Sequence, residues 1–289
     1  MRYDIRLTID YRYQVASDHV RNMLRLLPSD GPNQRVTARL LTIAPPPDER
    51  RDGVDFFGNA TSSVVWHEPV DQITLHLRAT AERLAAPLAD LSPPPGAIAA
   101  ELPASGIGPA APLHFLAPSP RIAADPGITT FTRALIRSEH SARAAVEAVG
   151  RGLHKAMTYD AEATDVTTTP VEAFTLRRGV CQDFAQIMIA GLRALGLPAA
   201  YVSGFLRTYP PEGQPRLEGV DAMHAWVAVW CGAAQGWVEY DPTNAQWAGE
   251  DYITVAMGRD YADVAPVKGA IRTAGGQDST QAVDVIPLD

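Results

Sequence analysis

The stretch Gly179-Val180-Cys181-Gln182-Asp183-Phe184-Ala185-Gln186 decides the fold, because it puts one of only two cysteines at the start of a helix. The apolar residues that follow recur at steps of three and four, which is the period of a helix: Phe184, Ile187, Met188, Leu192 and Leu195. Gly196 and Pro198 predict the end of this helix, since glycine supplies a left-handed stop and proline prevents continuation.

Cys181 therefore belongs to the first turn of the helix, where backbone N–H groups have no partner within the helix. Their partial positive charge favours the thiolate, which is the nucleophilic form of cysteine. The same N–H groups can bind the oxyanion that forms when a thiolate attacks a carbonyl group. This placement predicts acyl-transfer chemistry.

His224 and Asp241 lie on a predicted antiparallel strand pair joined by a turn at 232–236. His224 lies at the start of the first strand of this hairpin and Asp241 lies past the end of the second, so the two side chains are expected near the same end. A carboxylate there could bond one imidazole nitrogen and leave the other for the cysteine. The three residues together predict a nucleophile, its base and the group that orients the base.

Five segments in this order resemble the transglutaminase-like superfamily of papain-like enzymes. They are Gly-Val-Cys-Gln-Asp-Phe-Ala (179–185), the segment 196–205, His-Ala-Trp-Val (224–227), Asp-Pro-Thr-Asn (241–244) and the segment 258–266. The resemblance implies that Cys181 is the nucleophile, His224 the general base and Asp241 its partner. It also implies a bacterial branch in which a β-rich N-terminal region precedes the core. Since the superfamily includes transglutaminases, peptidases and amidases, it indicates the mechanism better than the substrate.

The predicted fold is α+β, with an N-terminal antiparallel β-sandwich-like domain followed by a transglutaminase-like (papain-like) core. In residues 1–85 apolar and polar residues alternate with a period of two along 3–15, and further strands are predicted at 24–28, 35–43, 61–67 and 72–81. Residues 86–127 are rich in proline and alanine and are expected to be a linker or wrapping segment. The core is expected over 128–289, with a helix capped by Ser141 and running to about Met157.

Composition restricts the partners. The net charge of −8 and the isoelectric point of about 5.4 argue against nucleic acid or an anionic membrane as a partner. The first residues have no apolar signal core and no stretch approaches the roughly 18 apolar residues of a membrane span, so a soluble, cytoplasmic protein is expected. No Cys/His spacing suits zinc and no acidic loop suits calcium, so we expect no metal and no cofactor.

Several residues have a structural interpretation. Cys231 is expected to be a small apolar filler, and Asp183 to support the first helical turn. Tyr159 is either a second oxyanion donor or a tyrosine that closes a helix against the core. Trp226 and Trp230 are expected in the core or in the wall of the cleft. Three histidines are expected on strand surfaces: His19, His67 and His76.

Three classes of function remain open from the sequence. The favoured one is acyl transfer from a peptide or protein amide through a thioester, with hydrolysis preferred over transamidation because water is the default acceptor. The others are an acyltransferase of the arylamine acetyltransferase type and a non-catalytic binding module. The N-terminal domain is expected to shape substrate access. A fragment beginning near Ile128 is therefore expected to keep a thiol that alkylates like that of the whole chain but to lose turnover of large peptides. The sequence does not predict the oligomeric state.

Overall fold

The computed structural model describes residues 1–85, 89–209, 219, 221–273 and 275–288, which form two large antiparallel sheets and a layer of helices. The strands are β1 (Arg2–Leu24), β2 (Gln34–Ala44), β3 (Glu49–Val54), β4 (Ala60–Trp66), β5 (Val70–Arg83), β6 (Thr158–Tyr159), β7 (Arg178–Gly179), β8 (Ala199–Leu206), β9 (Ala222–Trp230), β10 (Trp237–Asp241), β11 (Gln246–Trp247), β12 (Tyr252–Gly258), β13 (Val267–Arg272) and β14 (Gln277–Pro287). The helices are α1 (Ile98–Glu101), α2 (Pro126–Leu135), α3 (Ala142–Ala156), α4 (Pro170–Leu176), α5 (Cys181–Ala194) and α6 (Tyr261–Val264).

The first sheet is curled around the long strand β1, whose pairing becomes irregular between Arg12 and Ser17. Its first half pairs with β5 and β14, and its second half pairs with β4 and β13. β2 and β3 lie at the outer edges, in the order β2-β5-β1-β4-β3. The predicted N-terminal antiparallel domain is thereby confirmed as one curled sheet.

Two details of this region differ from the sequence-based expectation. The prediction of a separate strand at 24–28 is wrong, because β1 continues to Leu24. The side chains of Val20 and Leu24 are both buried, so this end of β1 still packs against the core. β3 was not predicted, since all of its residues are exposed and it has no alternating pattern. The predicted strands at 35–43, 61–67 and 72–81 correspond to β2, β4 and β5.

The core contains a five-stranded antiparallel sheet in the order β11-β10-β9-β8-β12. Helix α5 packs on β8 and β9, and α2, α3 and α4 pack around it. The predicted limits of α5 and α3 hold: Gly196 follows α5 with a φ of +81°, and the Ser141 side chain accepts a hydrogen bond from Ala144 N at 3.0 Å. The α+β core is confirmed.

The two sheets are joined along β12, an edge strand of the core sheet. The side-chain amide of Gln34 donates to Thr254 O at 2.7 Å and accepts from Thr254 N at 2.8 Å. Asn59 makes the same pair of bonds with Met257, both at 2.8 Å. Both side chains are buried, so they supply partners that a further strand would otherwise supply.

The C-terminal strands return to the N-terminal sheet. β13 and β14 both pair with β1, although the predicted boundary at 128 assigns their residues to the core. Within 89–127, Ile98, Phe115 and Ile122 are buried, so this segment packs on the rest of the protein. The division into domains stays a prediction. Among the described residues, no helix has the length and apolar character needed to cross a membrane.

Candidate active site

Cys181 is the first residue of α5 and is partly exposed. The preceding strand β7 pairs in parallel with β6, so that Gly179 lies opposite Tyr159. Asp183, which is fully buried, accepts hydrogen bonds from Val180 N at 2.8 Å and from the Thr164 hydroxyl at 2.6 Å. These bonds hold the start of the helix, as predicted for Asp183.

His224 and Asp241 meet at one end of the hairpin of β9 and β10. The two strands pair antiparallel with Val227 opposite Tyr240. This register places His224 Nε2 at 2.7 Å from Asp241 Oδ2. Because Nε2 is bonded to the carboxylate, Nδ1 is the ring nitrogen left for the Cys181 thiol.

Further donors fix the Asp241 carboxylate, which is 0% exposed. Oδ2 also accepts from the Tyr252 hydroxyl at 2.7 Å and from Asn244 Nδ2 at 2.7 Å. Oδ1 accepts from the backbone N–H groups of Thr243 at 2.8 Å and Asn244 at 3.2 Å. The carboxylate is therefore held in one orientation toward the imidazole.

Sequence reasoning did not identify Asn244 or Tyr252 as partners of Asp241. Asn244 belongs to the Asp-Pro-Thr-Asn segment, and its position three residues after the aspartate is the signal that could have revealed it. Tyr252 comes from β12, on the far side of the core sheet from β10 in strand order. No local pattern in the sequence predicts that contact.

The electrostatics of the pair favour a charged imidazole. Burial alone would lower the pKa of His224, but hydrogen bonds to Asp241 and Cys181 outweigh it and raise the pKa to about 10. Burial would raise the pKa of Asp241, whereas the bonds from His224, Asn244 and Tyr252 hold it below its usual value. At neutral pH the site therefore holds an imidazolium beside a carboxylate.

Cys181 and His224 open into a cleft of about 620 Å³ that runs between the two sheets. Ile9 and Tyr11 of β1, together with residues 277 and 279–281 of β14, form one wall. Tyr201 and Ser203 of β8 belong to the opposite wall. Apart from His224, the described residues that line the cleft carry no charged side chain. The described lining is therefore close to neutral.

The remaining candidates separate clearly. Cys231 is fully buried, and burial raises the pKa of its thiol to about 12, which fits the predicted filler. Trp226 and Trp230 are buried, as predicted. Tyr159 is 58% exposed, so the expectation that it closes a helix against the core is wrong. Partial burial and then the nearby Cys181 raise the pKa of Tyr159, and its role as a second oxyanion donor stays a prediction.

The predicted surface histidines His19, His67 and His76 are all exposed. His67 Nε2 lies 2.9 Å from Glu49 Oε1, and His76 Nδ1 forms a hydrogen bond with the Thr8 hydroxyl. No group of three or more His, Cys, Asp or Glu side chains that could hold a metal ion is found in the part of the chain that the structure describes. Of the three predicted catalytic residues, Cys181 and His224 line one cleft and His224 bonds Asp241, and their catalytic roles stay a prediction.

Comparison with known proteins places these features in a family. A model of the transglutaminase-like superfamily matches residues 129–242, and one of the bacterial transglutaminase-like N-terminal region matches residues 3–82. An uncharacterized protein of Mycobacterium tuberculosis is 36% identical over 303 residues, covering 100% of this chain and 93% of that protein.

Two further similarities are more distant or more local. The crystal structure of a candidate cysteine protease from Cytophaga hutchinsonii has a TM-score of 0.76 at 21% identity and covers 100% of this chain and 91% of that chain. This likeness shows a shared fold over both sheets. A protein-glutamine gamma-glutamyltransferase of Pseudomonas aeruginosa is 39% identical over 71 residues, which are 24% of this chain and 10% of that protein.

Proposed function

The chain belongs to the transglutaminase-like superfamily, and we propose that it is a thiol enzyme that transfers the acyl group of an amide through a thioester on Cys181. The observation that supports this most is the buried His224, which is bonded through Nε2 to Asp241 at 2.7 Å and lines the same cleft as Cys181. A cysteine that only fills space needs no such partner. The favoured acceptor is water, which makes the protein a peptidase or amidase.

In the first half of the reaction, the Cys181 sulfur attacks the amide carbonyl carbon and a carbon–sulfur bond forms. The negative charge that develops on the carbonyl oxygen is stabilised by backbone N–H groups in the first turn of α5. The carbon–nitrogen bond then breaks, and protonated His224 gives its proton to the leaving amine. Asp241 stabilises the imidazolium and keeps Nδ1 directed at the sulfur.

In the second half, neutral His224 takes a proton from water as the water oxygen attacks the thioester carbon. The carbon–sulfur bond breaks, the carboxylic acid leaves, and the thiolate and imidazolium are restored. The neutral cleft suits an amide substrate, because neither its carbonyl nor its nitrogen is charged before reaction. The substrate is accordingly a peptide or protein amide, and a cytoplasmic location remains a prediction.

Transamidation is the second candidate. The specific observation in its favour is the local similarity to the protein-glutamine gamma-glutamyltransferase, which includes 39% identity over 71 residues. The two reactions share the thioester and differ only in the acceptor, a primary amine in place of water.

Dephosphorylated β-casein, with and without the fluorescent amine monodansylcadaverine, tests both candidates. New chain ends support a peptidase, release of ammonia without cleavage supports an amidase, and incorporated fluorescence supports transamidation. Every such product should disappear in Cys181→Ala and persist in the matched control Cys231→Ala. Activity that survives Cys181→Ala, or wild-type protein that forms none of the three products, would refute the proposed function.

A further inference from the structure

The outer edge of β14 borders the cleft that holds Cys181. Among the described strands β14 pairs only with β1, in an uninterrupted register from Tyr3 opposite Pro287 to Tyr13 opposite Gln277. Residues 277 and 279–281 line the cleft, so the edge that faces away from β1 runs along it.

The hydrogen bonds at the two ends of β14 show which backbone groups face this edge. Even-numbered residues face β1, because Gly276 O accepts from Gln14 N at 3.0 Å and Leu288 N donates to Arg2 O at 2.8 Å. Odd-numbered residues face the other way, because Val283 O accepts from Asp221 N at 3.1 Å and Val285 N donates to the Asp221 side chain at 2.7 Å. The N–H and C=O groups of Gln277, Ser279 and Gln281 therefore point to the outer edge.

These six outward groups have no partner among the described residues. Asp221 occupies the continuation of the same edge, where it bridges to Val283 in antiparallel fashion. The edge thus already accepts an antiparallel partner at one end, and the residues that the structure describes leave 277–281 unpaired on this side.

We propose that this open edge, residues 277–281 of β14, binds the extended main chain of a peptide substrate as an added antiparallel or parallel strand. This inference rests on the proposed function and assigns its substrate class: an unfolded or extended peptide segment with uncharged side chains. Main-chain hydrogen bonds to 277, 279 and 281 supply binding without regard to sequence, and the pockets between strands select alternate side chains.

The residues that line the cleft also favour an extended, uncharged peptide as the occupant. The side chains of Gln281 and Ser279 lie opposite Ile9 and Tyr11 and line the same cleft, so a strand on this edge passes in front of Cys181 and His224. Apart from His224, the described lining residues offer no opposite charge to compensate a charged side chain for the hydration that it would lose there. A folded domain has few segments free to add to an edge, whereas an unfolded chain has many.

Ser279→Pro tests the edge, because proline removes the outward N–H of residue 279 and leaves the bonds of its neighbours to β1 in place. The matched control is Val54→Pro in β3. Asp55 N bonds Asn59 O, so Val54 N–H points away from β4, and Val54 lies outside the cleft. We expect kcat/KM for dephosphorylated β-casein to fall at least tenfold in Ser279→Pro, mainly through KM, and less than twofold in Val54→Pro. Alkylation of Cys181 by iodoacetamide, a reagent too small to need the edge, should keep its rate in both variants.

The role of the backbone is separated from that of the hydroxyl by Ser279→Ala, which keeps the N–H and should lose less than threefold in kcat/KM. An equal loss in Ser279→Ala and Ser279→Pro would assign the effect to the side chain and overturn the proposal. So would unchanged casein turnover in a folded Ser279→Pro.

Hydrogen exchange provides a measurement that changes no residue of β14. In Cys181→Ala, the amides of 277, 279 and 281 should exchange rapidly alone and at least fivefold more slowly with saturating β-casein. Protection of these amides without any wild-type turnover would support edge binding while refuting acyl transfer. Turnover without protection would refute edge binding alone. Protection that rises with protein concentration in the absence of casein would mean that a second copy occupies the edge, which also overturns the proposal.

Discussion

At the scale of single residues, the two cysteines are both free thiols but lie in different surroundings. Cys181 is partly exposed at a helix start beside His224, whereas Cys231 is buried and its thiol has a pKa of about 12. We expect iodoacetamide at neutral pH to label Cys181 at least 100-fold faster than Cys231, because the thiolate is the reacting form and access is required. Mass spectrometry of Cys181→Ala and Cys231→Ala measures this. Labelling that survives loss of Cys181 and vanishes with loss of Cys231 would reverse the assignment.

His224 and Asp241 should contribute unequally to turnover. His224 transfers the proton, whereas Asp241 orients the imidazole and stabilises its charged form. The loss in kcat should therefore be roughly tenfold to a hundredfold larger in His224→Ala than in Asp241→Ala. Steady-state kinetics on β-casein gives the comparison, and circular dichroism checks the fold of each variant. Wild-type activity in either variant would remove that residue from the mechanism.

The charge on His224 also links stability to pH. Its pKa is about 10 in the folded protein and 6.5 as the ordinary value. Since the folded state binds the proton more tightly, the stabilisation is complete below about pH 6.5 and is lost as the pH rises to about 10. The melting temperature of the wild type should therefore fall toward that of His224→Gln across this range. Two melting curves that stay parallel from pH 6.5 to 10 would contradict the raised pKa.

At the scale of elements, the start of α5 depends on a close approach between a glycine and an aspartate. A Cβ atom on Gly179 would lie 2.5 Å from Asp183 Oδ2 and 2.9 Å from Asp183 Cβ. Gly179→Ala should therefore displace Asp183, cost about 1–3 kcal/mol in the free energy of unfolding, and slow alkylation of Cys181. Urea titration followed by tryptophan fluorescence measures the loss.

The matched control for this change is Gly249→Ala, because an added Cβ there meets nothing within 4 Å. It should leave the urea midpoint close to that of the wild type. Equal midpoints for Gly179→Ala and the wild type would mean that Asp183 can move without cost, and that the helix start does not depend on it.

Elements could be predicted from the sequence where their information is local. The helical period after Cys181, the cap at Ser141 and the hairpin turn at 232–236 each lie within a few residues of the structure they determine. β3 carries no such pattern, since both of its faces are exposed. For the same reason the His224–Asp241 pair could be predicted from one hairpin, whereas the bond from Tyr252 to Asp241 requires knowledge of how β12 lies against the sheet.

At the scale of the whole molecule, the two ends of the chain form one sheet. β14 pairs with β1 over residues far apart in sequence, and no periodicity in either strand identifies the other as its partner. The N-terminal sheet also forms a wall of the cleft, which supports the expected role in substrate access. A linear division of the sequence into domains could not anticipate this arrangement.

The last prediction concerns a fragment that begins at Ile128. From the sequence alone this fragment is expected to keep its reactive thiol. The pairing of β13 and β14 with β1 indicates instead that the fragment does not fold by itself. The fragment leaves β13 and β14 without β1, and it removes Gln34 and Asn59 from the edge of β12. Each buried backbone group left unsatisfied costs about 1–3 kcal/mol, and an exposed strand edge promotes aggregation.

We therefore expect residues 128–289 to be aggregated or to lack a cooperative melting transition, as judged by size-exclusion chromatography and calorimetry. The full chain carrying Asn59→Ala is the milder comparison, because it breaks only the two bonds to Met257 and the bond from Asn59 Nδ2 to Asp55 Oδ2 at 3.1 Å, and should still unfold cooperatively at a lower temperature. A monomeric fragment with a sharp transition and parent-like alkylation of Cys181 would show that the core folds without the N-terminal sheet. Its turnover of β-casein would then report directly on whether that sheet is needed for large substrates.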